Sequence, residues 1–75
     1  MKELVEVIAK ALVDHPDEVV VTEEREKDNV LLTLHVASTD MGKVIGKQGR
    51  IAKAIRNVVK AASTRENIRA DVDIR

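Results

Sequence analysis

Gly46-Lys47-Gln48-Gly49 is the stretch in which residue type and spacing could do chemistry. Two glycines three apart, with a lysine between them, interrupt a helix-compatible run: Val44 and Ile45 precede the break, and Ile51 and Ile55 follow it. A helix that stops on one glycine and restarts on another places several backbone N–H groups at the head of the second helix. Those donors, with the positive end of the helix dipole, make a site for an anion such as a phosphodiester. Glycine serves such a turn in two ways: a tight reversal needs positive φ, and a Cβ would hold a sugar-phosphate off the backbone. Lys47 adds a full charge at the tip, where a plain helix–helix turn needs none. The pattern reads as a clamp for a single nucleic-acid strand.

Charge distribution supports this reading although net charge does not. Thirteen acids balance thirteen bases. Ten of the acids fall in residues 1–40, alongside only Lys2, Lys10, Arg25 and Lys27. From Met41 to Arg65 there is no acid, against Lys43, Lys47, Arg50, Lys53, Arg56, Lys60 and Arg65. A neutral chain split in this way presents one positive face, and the local field governs docking of a polyanion. Arg50 and Lys53, on the first turn after the glycine break, are candidate contacts; Arg56 and Lys60, further along, read as solvated surface.

Other chemistries find no support. The chain has no cysteine, so it offers no disulfide framework and no thiolate metal site, which suits a reducing cytoplasm. His15 and His35 stand twenty residues apart without a partner at ligand spacing, so no metal or cofactor is expected. Ser38 and Thr39 read as helix caps, not nucleophiles. Gly42-Lys43-Val44-Ile45-Gly46-Lys47-Gln48 is one residue short of a P-loop between its glycines and has Gln where Ser or Thr would hold magnesium. Nothing points to an enzyme or a small-molecule substrate. MKELVEVIAK carries acids among its apolar residues and reads as neither signal peptide nor membrane span.

The elements that must position the glycine break follow from periodicity. Met1–Asp14 reads as an amphipathic helix on Leu4, Val5, Ile8, Ala11 and Leu12, ended by His15-Pro16. Glu18–Glu26 reads as a strand, Lys27-Asp28-Asn29 as a turn in which Asp and Asn take the left-handed conformation, and Val30–Val36 as a second strand. Ser38-Thr39-Asp40 read as N-cap residues for a short helix Met41–Ile45. A longer helix, Arg50–Ala62, is expected to bury Ile51, Ile55, Val58, Val59 and Ala62. Thr64–Asn67 reads as a polar loop, and Arg69–Ile74 as a third strand with Ala70, Val72 and Ile74 inward. The order α-β-β-α-α-β predicts one α+β domain over residues 1–75: a three-stranded sheet with three helices on one face.

Val44-Ile45-Gly46-Lys47-Gln48-Gly49-Arg50 resembles the KH-domain signature, an I-G-x-x-G loop between two helices. The element order is similar to the type II arrangement, and the wording DMGKVIGKQGRIAKAIR resembles the KhpA-type family of small bacterial KH proteins across the whole chain. The resemblance implies a mixed sheet and a groove holding about four nucleotides of single-stranded RNA. On that model Gly46 and Gly49 admit the phosphates, Lys47 and Gln48 contact them, and Lys43, Arg50 and Lys53 steer the strand. Val44, Ile45 and Ile51 would line the groove under the bases, with Thr64–Asn67 as the variable loop. It further implies a cytoplasmic, RNA-chaperone-like role tied to cell envelope growth and cell length, with a homodimer or a larger KH-domain protein as partner.

The chain has no Phe, Tyr or Trp. Base stacking on an aromatic ring, worth roughly 1–3 kcal/mol per base, is therefore absent, and modest affinity with loose sequence preference is expected. A rival reading, from the same basic face, is a protein–protein assembly module that accepts an acidic partner.

Overall fold

Three residues at four-residue spacing, Val5, Ala9 and Val13, anchor the first helix, α1 (Lys2–Leu12), which the computed structural model of residues 1–75 places against the sheet and the second helix. Leu4 and Ile8 flank this stripe half-buried, whereas Ala11 and Leu12, expected inward, are exposed. The helix closes at Leu12, with Val13 already extended, before the His15-Pro16 expected to end it at Asp14, and Pro16–Glu18 then forms a single 3-10 turn. Strand β1 consequently begins at Val20, not Glu18, and runs to Glu26; β2 spans Asn29–His35.

The hairpin between them has two residues, Lys27 and Asp28, because Asn29 already pairs with Glu26. The positive φ, 55°, falls on Lys27 and not on the Asp or Asn expected to take it. β1 pairs antiparallel with β2, and β3 (Arg69–Ile74) lies parallel on its other side, giving the order β1-β2-β3. Val21, Val30, Leu32 and Leu34 are buried on one face, with Ala70, Val72 and Ile74 beside them. The other face is bare, and Leu31 on it is exposed. All the helical segments pack on the first face, so the architecture is a two-layer α+β fold with a three-stranded mixed sheet.

Helix α2, Ser38–Glu66, is two arms, 38–45 and 50–66, joined across a break at Gly46–Gly49. Ala37 holds the N-cap position and no side chain caps the helix, so Ser38 and Thr39 sit in its first turn instead. Asp40 is buried, and its carboxylate accepts the backbone N–H groups of Asp14 and His15 at 3.1 and 3.0 Å, bonding outward to the exit of α1. At the far end the second arm continues through the expected polar loop to Glu66 and closes on Asn67, left-handed at φ 59°, ψ 42°. Ser63 and Thr64 do not break it because each hydroxyl donates to the Lys60 carbonyl at 2.9 Å. Only Asn67-Ile68 separate helix from strand.

The second arm buries Ala52, Ile55, Val59 and Ser63, with Ile51 and Ala62 half-buried; Val58 is 37% exposed. The core face is thus rotated by roughly 50° from the expected aliphatic stripe, at 100° per residue. Small residues explain the difference. Ala52 and Ser63 let the backbone approach the sheet, and the internal bond of Ser63 removes the penalty of burying its hydroxyl. Ile55, Leu32 and Leu34 are fully buried and contribute about 1.5–3 kcal/mol each.

Candidate nucleic-acid interface

Residue by residue, the break between the arms is not a symmetric pair of glycine turns. Gly46 leaves the first arm at φ −67°, ψ 178°, an extended conformation open to any residue. Lys47 (φ 52°), Gln48 (φ 63°) and Gly49 (φ 69°) then follow one another in the left-handed region. Positive φ is therefore required of glycine only at position 49. Two residues with side chains carry the rest of the reversal, each at a cost of about 1–2 kcal/mol. Gly46 has no internal reason to lack a side chain, since a Cβ there would meet nothing within 4 Å.

Lys47, Gln48 and Arg50 are exposed and together line an open concavity at the tip. Behind it, the second arm restarts at Arg50 with its dipole's positive end toward the loop. Lys53 is exposed on the first turn of that arm. Lys43 is also exposed, but its Nζ lies 3.1 Å from Asp14 Oδ1, so its charge is partly answered within the molecule. Of the three apolar residues, Ile45 is 55% exposed and Ile51 half-buried, while Val44 is fully buried. Val44 anchors the first arm to the core, and only Ile45 and Ile51 present surface.

Two bases read as plain surface acquire a setting. Arg56 and Lys60, one turn apart, line an open groove of about 630 Å³ with Arg69 of β3, floored by Val59, Ile68 and Val72. Asp71 is the one acid on its rim. The i, i+4 spacing of Arg56 and Lys60 was visible; their meeting with Arg69 depends on β3 turning back along the second arm. The acid-rich hairpin lies at the other end of this arm, because Arg69 N–H donates to the Asp28 carbonyl at 2.8 Å. Seventeen helical residues, roughly 25 Å, separate it from the glycine loop.

A Gly-x-x-Gly loop between two helical arms, laid on a three-stranded mixed sheet of order β1-β2-β3, defines a KH domain of type II. The chain belongs to the KhpA/KhpB KH-domain family, whose model matches residues 2–74. It is 62% identical over 74 residues to the RNA-binding protein KhpA of Clostridium acetobutylicum, covering 99% of each chain. Identity to the proteins of the same name is 61% in Clostridium perfringens and 58% in Caldanaerobacter subterraneus subsp. tengcongensis, again over 99% of each chain. No solved structure matches. No helix is long and apolar enough to cross a membrane.

Proposed function

We propose that this protein is a non-catalytic binder of single-stranded RNA whose backbone is held at Gly46–Gly49. One observation carries the reading: the loop keeps strain at Lys47 and Gln48, and a bare Gly46, that its own packing does not need. A sugar-phosphate passing over Gly46 accounts for both features, since it needs a surface without Cβ and a fixed array of donors. The name printed for the relatives, RNA-binding protein, points the same way. Lys47, Gln48 and Arg50 contact phosphates, Lys43 and Lys53 steer the strand, and the bases lie over Ile45 and Ile51. The RNA-chaperone role and the tie to envelope growth and cell length implied by the resemblance belong to this reading.

The test is a double variant, Lys47→Asp with Gln48→Asp. Both side chains are exposed and Asp tolerates positive φ, so helix content and melting temperature stay near those of the parent. Anisotropy of a labelled RNA oligonucleotide then shows no binding. Unchanged affinity in the double variant removes the loop from the interface.

Val58 favours a second, compatible reading, self-association. With Ala54 and Ala61 it gives the outer side of the second arm an exposed apolar stripe. Sedimentation at micromolar concentration is expected to show particles larger than the 8.3 kDa chain, and Val58→Asp to return them to that size.

A further inference from the structure

The two arms of α2 are mechanically separate, because four consecutive non-helical residues lie between them. The seat of the second arm on the sheet therefore does not dictate the pitch of the first. The first arm has only about two turns, and two of its side chains are sunk in the molecule: Asp40 and Val44, one turn apart on one face. Asp40 is 1% exposed. Its Oδ1 accepts Asp14 N–H and its Oδ2 accepts His15 N–H, in the segment that leaves α1 ahead of Pro16. Bonds from backbone donors to a carboxylate are charge-assisted, and one to each oxygen fixes the plane of the group. Lys43, three residues on, closes the same junction through Asp14.

We infer that Asp40 is the positioning residue of the glycine loop. It clamps the first arm to the exit of α1, and this holds Ile45 and Gly46 in register with the donors of the second arm. Left-handed Lys47 and Gln48 persist only where both ends of the loop are held. The second arm holds one end and the Asp40 clamp holds the other. The inference rests on the RNA-binding reading above, and the experiment separates the two.

Asp40→Asn is nearly isosteric, but its amide turns an N–H₂ group against one of the two backbone donors. The dissociation constant for a labelled single-stranded RNA is expected to rise roughly tenfold, as the competent arrangement falls to about a tenth of the population. The slope of log K against log salt stays unchanged, because no cation has been removed. Val30→Ala, a buried change beside the acid-rich hairpin at the far end of the second arm from the loop, serves as the control. It binds with parental affinity at a temperature where circular dichroism shows both variants folded. Parental affinity in Asp40→Asn, or equal losses in the two variants, overturns the inference.

Hydrogen exchange of the parent protein requires no variant. The Asp14 and His15 amides, outside any helix or strand, are expected to exchange roughly tenfold or more slower than free amides. Unprotected exchange there overturns the clamp. If the parent binds no oligonucleotide, the RNA reading falls by itself. Faster amide exchange at residues 46–49 in Asp40→Asn than in the parent still supports positioning, and equal exchange defeats it.

Discussion

Gln48 holds a left-handed backbone with a Cβ in place, at φ 63°, and this sets the sign of what substitutions there do. Gln48→Gly relieves strain of about 1–2 kcal/mol but adds freedom to the unfolded chain, so a net gain of roughly 0.5–1 kcal/mol is expected. Gln48→Val places a β-branched residue at positive φ and lowers stability by more than about 1 kcal/mol. Urea unfolding of the two variants should move the midpoint in opposite directions. Asn67, left-handed at the end of α2, is the matching case at a cap. Asn67→Ala is expected to lose about 1 kcal/mol, a fall of roughly 4–8 °C in melting temperature, whereas Asn67→Gly holds it.

Among the elements, the second arm of α2 carries most of the load. It presents Ala52, Ile55 and Val59 to the sheet on one side and Arg50, Lys53, Arg56 and Lys60 to solvent on the others. Ile55 is fully buried at its middle. Ile55→Ala leaves a cavity and is expected to lose about 2–5 kcal/mol. A folded chain of this size holds only on the order of 5 kcal/mol, so the variant should be largely unfolded at 37 °C by circular dichroism. The first arm is a contrast. It depends on Val44 and on the Asp40 bonds to α1, so the loop is supported from two unrelated parts of the chain.

For the molecule as a whole, the arrangement of charge matters more than its total. The uninterrupted basic run of α2 begins beside the glycine loop, while Glu23, Glu24 and Glu26 stand in the far strand of the sheet. A polyanion is therefore steered to one end of an object about 35 Å long. With about three phosphates neutralised, log K should fall against log salt with a slope near −2 for a single strand. Arg50→Gln, which removes a cation proposed to contact phosphate, should flatten that slope by about 0.7. Titrations at four salt concentrations check both figures.

Local pattern was enough for much of this protein. The alternation of Val30, Leu32 and Leu34 fixes which face of β2 is buried. The bounds of β3 follow from Arg69–Ile74 alone, and the glycine spacing marks where α2 must break. Each is settled by neighbours a few residues away, and periodicity records such neighbours. Packing decided the rest. Whether Ala52 or Val58 faces the sheet depends on how closely a helix can approach, and an apolar count does not contain that distance. Asp40 looks like one more cap residue until α1 is folded against it, because its two donors are 25 and 26 positions away. Arg56, Lys60 and Arg69 share a groove only because β3 returns along the helix. Such facts belong to contacts between distant parts of the chain, and only the folded chain brings those parts together.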